Sequence, residues 1–309
     1  MAGKLGEMFG AGAPATFLGL PRAEEAPDAP VVLIGADGCT PYASVGHYCA
    51  GGPAAIRAGS ADYAANLLHM NFDLGGPTFP GRLAADAGDL TIGDDAAANR
   101  ATIRAEVSAV LDRGAVPVLV GGDDSLPIPM LQAFEGRGRT LTILQIDAHI
   151  DWRDEVQGER WGLSSTMRRA SEMPWVERIV QVGQRGIGSA RPSDVADAER
   201  WGVTFVSGRE VMRDGIARAL DAIPQGSDIV ICFDVDALDP AILPAAIGRT
   251  AGGLSYGVAL DLIEGAAAKG RIAALDLVEF MPERDVDGIG AMTAAQLLAA
   301  AMGIIARQG

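Results

Sequence analysis

Short runs of apolar residues recur along the chain and predict buried β-strands. The runs are rich in Val, Ile and Leu, with few interspersed polar positions. Strands that are buried on both faces of a sheet show this nearly continuous pattern. Seven segments fit it: 31–37, 117–123, 141–147, 179–185, 203–208, 228–236 and 272–280.

Ala-rich amphipathic stretches separate these runs and predict helices. The candidates are 52–67, 96–113, 126–135, 192–201, 209–222, 256–269 and 290–307. Regular alternation of strand and helix favours one parallel sheet with helices on both faces, a three-layer α/β sandwich. No linker-like shift in composition divides the 309 residues. We therefore predict one domain over 31–309, preceded by an N-terminal extension, 1–30, that packs along it or reaches a neighbouring chain.

Composition narrows the classes of partner and the cellular compartment. The net charge of -15 argues against nucleic acid and anionic membranes as partners and is compatible with a cationic substrate. The three cysteines suggest no disulfide framework and fit a reducing compartment. The N-terminus lacks the apolar run of a signal peptide, and no window approaches the length of about 18 apolar residues needed to span a membrane. These features predict a cytoplasmic protein.

Carboxylates gather where several predicted strands end. Asp147, His149 and Asp151 follow one strand and would project to one side if the chain stays extended. Asp234 and Asp236 end another strand in the same way. Ligands of open α/β sheets bind beyond the carboxyl ends of the strands, so these side chains are candidate metal ligands. A third strand ends in GGDDS (121–125), which fits either a functional turn or a simple helix cap.

Taken together, these segments resemble the arginase/agmatinase (ureohydrolase) family. The resemblance rests on GGDDS (121–125), DAHID (147–151) and CFDVDALDP (232–240), in the family's order. Weaker likenesses lie in GGPAAIRAGS (51–60), AGGLSY (251–256) and LDLVEFMPERD (275–285), so the match spans roughly 30 to 305. It implies an arginase-like fold with a mostly parallel sheet of about eight strands.

The resemblance also implies a binuclear metal centre that hydrolyses a guanidino compound to urea and an amine, by attack of a metal-bridging hydroxide. Asp147 and Asp234 match the carboxylates that bridge two divalent metals, and His149 and Asp236 match ligands of one of them. The family's pattern gives the remaining positions to Asp124 and Asp151, with Asp151 also assisting catalysis, and assigns Glu279 to binding the substrate guanidinium.

Two departures from the family pattern stand out. Asp124 occupies the position of a metal-binding histidine, so one metal would have only oxygen ligands, which favours Mn²⁺, with Ni²⁺ as the alternative. The segment 152–171 lacks the histidine that shuttles protons in many relatives. Arg153 and His47 are candidate contacts to the substrate, although a surface ion pair and a packed loop histidine are equally ordinary readings of them.

These departures leave two further hypotheses open beside guanidino hydrolysis. One is an impaired, non-catalytic subunit that partners an active paralogue. The other is a hydrolase of a formimino or other C–N bond. The resemblance also implies a homo-oligomer, either a trimer or a hexamer.

Overall fold

The computed structural model describes residues 15–81, 84–188 and 190–308. Its centre is one eight-stranded sheet in which every pair of neighbouring strands is parallel, in the order β2-β1-β3-β8-β7-β4-β5-β6. The strands are β1 (Val31–Gly35), β2 (Ala85–Asp89), β3 (Val116–Val120), β4 (Leu141–Ile146), β5 (Val176–Val182), β6 (Thr204–Val206), β7 (Asp228–Asp234) and β8 (Arg271–Val278). The predicted parallel sheet of about eight strands is confirmed.

Helices cover both faces of the sheet. They are α1 (Gly52–Gly59), α2 (Ala96–Asp112), α3 (Pro127–Gln132), α4 (Thr166–Ser171), α5 (Pro192–Trp201), α6 (Gly208–Asp214), α7 (Ala217–Asp221), α8 (Tyr256–Lys269) and α9 (Ile289–Ala306). Side chains of one strand alternate between the two layers: Ile231 of β7 packs with α8 and α9, whereas Val230 packs with α2 to α5. The three-layer sandwich is therefore confirmed.

The strand that the apolar pattern missed is β2, at the edge of the sheet. Its sequence, ADAGD, carries two carboxylates where the other strands carry Val, Ile and Leu. Asp86 is nevertheless fully buried, because Arg57 of α1 binds it through Nε and Nη2 at 2.8 and 2.9 Å. An ion pair thus replaces apolar packing in this strand, which hydrophobic periodicity cannot reveal.

Several predicted helices are shorter than their amphipathic pattern. The stretch 209–222 forms two helices, since Gly215 takes a φ of 78° between them. The stretch 52–67 forms α1 and then a separate 3-10 segment, Ala61–Asn66. Helix α4 was not predicted, because its sequence TMRRAS is too short to display a period.

Helix α9 is long and apolar enough to cross a membrane by those two measures alone, with a mean hydropathy of 1.8. This corrects the reading of the sequence, in which no window approached that length. In the structure, 78% of the helix is buried inside the molecule. Its apolar character is that of a core helix packed against α1 and α8.

The described part of the N-terminal segment packs on the domain. Phe17 and Leu18 are buried, and their N–H groups donate to Asp86 Oδ2 and Ser60 Oγ at 2.7 and 2.8 Å. Residues 1–14 of the predicted extension lie outside the described residues.

Topology places four chemically important strand ends next to each other. Strands β3, β8, β7 and β4 are consecutive neighbours in the middle of the sheet, although they are distant in sequence. GGDDS follows β3, Glu279 follows β8, Asp236 follows β7 and DAHID follows β4. The fold therefore gathers the predicted site residues at one edge of the sheet.

Candidate active site

The end of β4 supplies three of the predicted ligands. Asp147 and Asp151 are 1% and 9% exposed, and His149 is partly buried. The N–H of His149 donates to Asp147 Oδ1 at 2.6 Å, which fixes that carboxylate against its own turn. Asp151 has a φ of 43°, so the chain turns in a left-handed conformation at this residue.

A first group of ligand atoms comes from Asp147, His149 and Asp236, and one atom from each lies within 4.8 Å of the others. His149 Nδ1 is 3.1 Å from Asp236 Oδ2 and 3.5 Å from Asp147 Oδ1. The other oxygen of Asp236 accepts from the Ala148 N–H at 3.1 Å. One imidazole and two carboxylates are a ligand set that divalent transition metals accept.

A second group shares Asp147 with the first and adds Asp124 and Asp151, again within 4.8 Å. Asp124 Oδ2 is buried and has no hydrogen-bond partner among the described residues. A buried, unpartnered carboxylate oxygen is costly unless a cation or a proton satisfies it. The two groups, joined by one shared carboxylate, have the arrangement of a binuclear metal centre.

Asp234 lies beside both groups, although neither includes it. It is 5% exposed, and its Oδ1 accepts from the Asp236 N–H at 2.7 Å, capping a short 3-10 turn. Burial and the charges of Asp236 and Asp147 raise its pKa well above the ordinary value. Asp234 is thus part of the same charged site, and its bridging role stays a prediction.

The charges at this site are not balanced by the protein. Burial and the neighbouring carboxylates raise the pKa of Asp124 and of Asp151 well above the ordinary value. Burial alone would lower the pKa of His149, but hydrogen bonds to Asp147 and Asp236 outweigh it and raise the pKa to about 12. Mutual repulsion of this kind is relieved by bound cations, so the residues fit two divalent metals.

Glu279 lies directly above β8, where the resemblance assigned guanidinium binding. It is 3% exposed, and its N–H donates to the Gly122 carbonyl at 2.8 Å. Its Oε1 accepts from the Asp124 N–H at 2.8 Å and from the Tyr48 hydroxyl at 2.6 Å. Burial and the charge of Asp123 raise its pKa to about 8 against these hydrogen bonds.

Two glutamines beneath the ligands were missed by the sequence analysis. Gln145 Nε2 donates to Asp147 Oδ2 and Asp151 Oδ2, at 2.7 Å each. Gln181, opposite it on β5, donates to Gln145 Oε1 and to the Ile150 carbonyl. The sequence could have indicated Gln145, because side chains alternate along a strand and residue 145 therefore points to the same face as residue 147.

Arg185 was also missed, and it ties three loops together. Its guanidinium donates to the carbonyl oxygens of Gly183, Asp236 and Thr250, at 3.3, 2.7 and 2.8 Å for the shortest contact to each. Burial lowers its pKa despite the nearby carboxylates. Arg185 orders the chain around Asp236 through its backbone and does not neutralise the carboxylate itself.

The two remaining predicted substrate contacts, Arg153 and His47, belong to neither ligand group. Arg153 Nη1 is 3.6 Å from Asp194 of α5, in an ion pair whose side chains are both mostly buried. His47 packs over Gly38, where an added Cβ would lie 2.5 Å from its Nδ1. Among the described residues, the buried Nδ1 of His47 has no hydrogen-bond partner, and both residues stay predictions as substrate contacts.

Known proteins resemble this chain in sequence and in fold. Residues 29–303 match the model of the arginase family. Guanidinobutyrase of Pseudomonas aeruginosa is 28% identical, over 80% of this chain and 77% of that protein. Mitochondrial agmatinase of Gallus gallus is 31% identical, over 80% and 73%. The solved structure of proclavaminate amidino hydrolase from Streptomyces clavuligerus superposes with a TM-score of 0.83 and 27% identity, over 95% and 97%.

The fold and the relatives therefore define a hydrolase of C–N bonds, and the two groups of ligand atoms fit the metal dependence of that class. The chain belongs to the arginase family.

Proposed function

We propose that this protein releases urea from a small guanidino compound with the help of two divalent cations. The proposal is carried by one observation: two ligand groups share Asp147, and one of them contains Asp124, whose N–H donates to Glu279. The relatives named guanidinobutyrase and agmatinase support a guanidino substrate. Two cations sharing a water would lower its pKa and supply a nucleophile near neutral pH.

The protein's own residues bind and orient the reactants in this proposal. Glu279 accepts hydrogen bonds from the guanidinium, as a charge-assisted interaction. Asp124, Asp147, His149, Asp151, Asp234 and Asp236 hold the cations. Gln145 keeps Asp151 turned toward the site by donating to its Oδ2. The closely packed carboxylates also create the negative potential that attracts a cationic substrate.

We propose Mn²⁺ as the preferred ion of the Asp124 group. All three of its grouped ligands are carboxylates, and hard oxygen ligands select Mn²⁺ over softer ions. The His149 group contains an imidazole and accepts Ni²⁺ or Zn²⁺ more readily. Restoring a histidine, as Asp124→His, should shift retained metal from Mn²⁺ toward Ni²⁺ in a mixed-metal competition read by elemental mass spectrometry. Unchanged ratios would contradict this assignment.

The function is tested by elemental mass spectrometry of the purified protein, combined with an assay of urea against a panel of guanidino compounds. About two metals per chain and urea from any compound would support the proposal. Formamide from a formimino compound, with no urea, would favour the formimino alternative. Absence of both metal and turnover after Mn²⁺ or Ni²⁺ loading would contradict a catalytic role for the isolated chain and favour a partner subunit.

A further inference from the structure

The loop 36–51 connects β1 to α1 and is fastened to the neighbours of Asp124. The N–H of Cys39 donates to Asp123 Oδ2 at 3.1 Å, and the N–H of Thr40 donates to Ser125 Oγ at 2.8 Å. Asp123 and Ser125 flank Asp124 in the GGDDS segment. The segment that supplies a metal ligand thus also holds this loop over the site.

The same loop carries Tyr48, whose hydroxyl donates to Glu279 Oε1 at 2.6 Å. Burial, together with the charge of Glu279, raises the pKa of Tyr48 far above its ordinary value, so the hydroxyl keeps its proton and remains a donor. The Asp124 N–H donates to the same oxygen at 2.8 Å. Oε1 therefore has two donors, and the described residues place no hydrogen bond on Oε2.

The backbone of Glu279 is held in place as well as its side-chain oxygen Oε1. Its φ is 67°, a left-handed conformation that is rare for a side chain of this size. Its N–H is bonded to the Gly122 carbonyl at 2.8 Å. With the backbone and one carboxylate oxygen both held, the remaining oxygen has a single defined direction.

We propose that Tyr48 is a positioning residue for the substrate: it occupies Glu279 Oε1, so that Oε2 alone accepts a guanidinium N–H. This inference rests on the proposed function, because it assigns to Tyr48 the orientation of the group that binds the substrate. Tyr48 has no local sequence pattern that marks it, because its partner lies 231 residues away.

The test is Tyr48→Phe, which removes the hydroxyl and keeps the ring. Its matched control is Tyr63→Phe, which removes a hydroxyl bonded to Gln296 in a different part of the molecule. Both variants and the wild type are loaded with Mn²⁺. Three measurements are made: bound metal, the affinity for guanidinium chloride by isothermal titration calorimetry, and steady-state kinetics that give KM and kcat for a guanidino compound of the panel.

For Tyr48→Phe we expect guanidinium affinity to fall and KM to rise, each by about tenfold, because Glu279 loses the hydrogen bond that fixes the direction of its carboxylate toward the guanidinium. Bound metal should stay the same, and kcat should change little, because the lost contact serves ground-state and transition-state binding alike. Tyr63→Phe should match the wild type in all three. A merely structural tyrosine would instead lower metal content or stability without separating KM from kcat.

Unchanged guanidinium affinity in Tyr48→Phe would overturn the proposal, as would an equal loss of metal and kcat. A wild-type protein that binds guanidinium but releases no urea would contradict the proposed function only, and the affinity comparison would still decide the role of Tyr48. A wild-type protein that binds no guanidinium would contradict both.

Discussion

Two groups of carboxylates, each with buried members, lie in the same sheet and differ in how their charge is balanced. At the edge, Asp86 and Asp89 of β2 both pair with Arg57. Burial alone would raise the pKa of Asp86, but hydrogen bonds from Arg57 and its charge outweigh burial and lower it. The buried carboxylate of this edge group thus has its cation within the protein, and the ion pair joins α1 to the sheet.

The central group, at the ends of β3, β8, β7 and β4, forms no ion pair with an arginine or lysine among the described residues. Within the described residues, His149 forms ion pairs with it, whereas Arg185 donates to backbone carbonyls nearby. The pKa of Asp124 is raised by burial and by Asp151, the opposite of the shift at Asp86. The two groups thus differ in what they fit: the edge group has its cation within the protein, whereas the central group fits cations from solution.

The largest expected effect is on the central group, from Asp147→Asn. Asp147 belongs to both ligand groups, so its loss should remove both metals and lower kcat/KM by roughly a thousandfold or more, because a metal contributes several kcal/mol to the transition state. Elemental analysis and the urea assay check this. Asp89→Asn, the same change at the half-exposed edge, should keep metal and activity. Loss of activity in both variants would break the distinction between the two groups.

At the edge, Arg57→Met should destabilise the fold and spare the metal centre. It leaves Asp86 buried without its cation, which costs about 3–5 kcal/mol when a buried pair is broken. Equilibrium denaturation measures the free energy of unfolding. Arg104→Met, which breaks an exposed pair with Glu135, should change it by less than about 1 kcal/mol. Similar values for the two variants would mean that the edge pair is no more than a surface contact.

Gln145→Leu tests whether a neighbouring side chain orients the carboxylates of the central group. Removing the donor to Asp147 and Asp151 should weaken metal binding by about 10–100-fold, as for other residues that orient metal ligands. Competition with a chelator of known affinity measures the change. Gln225→Leu, at an exposed glutamine, is the matched control. Wild-type metal affinity in Gln145→Leu would show that the ligands hold their orientation without it.

The smallest expected effect is the pH dependence of the metal-free protein. Burial raises the pKa of Glu279 to about 8 and of Asp276 to about 7, so the folded state binds more protons than the unfolded state. Protonation of these two carboxyls therefore stabilises the folded state, fully so at pH values below their pKa in the unfolded chain. This stabilisation is lost as the pH rises through 7 to 8. The Tm with chelator present should therefore fall between about pH 6 and about pH 8.5.

The metal-loaded protein, compared in parallel, should show a smaller fall, because bound cations favour the charged carboxylates. The edge group acts in the opposite sense: its contribution is lost only when pH falls below 3.8, through the lowered pKa of Asp86. A metal-free Tm that rises with pH over the same range would contradict this account of the central group.

Much of the fold was predictable from sequence because most of its strands are buried on both faces. Seven of the eight strands carry the apolar pattern, and β2 does not, since Arg57 stabilises its buried Asp86. The break at Gly215 also escaped prediction, because one glycine inside an amphipathic stretch does not fix a helix end. At the site, the motifs indicated the metal-ligand candidates, and the structure brings Asp124, Asp147, His149, Asp151 and Asp236 together in two groups.

The sequence by itself determined the layered α/β architecture and the identity of the ligand-bearing turns, because periodicity and short motifs are local properties. Tertiary structure decided which strand ends are neighbours and which oxygens remain free. The contact of Tyr48 with Glu279 and the pairing of Gln145 with Gln181 join residues that are far apart in the chain. Such contacts depend on the order of strands in the sheet, and no local pattern records that order.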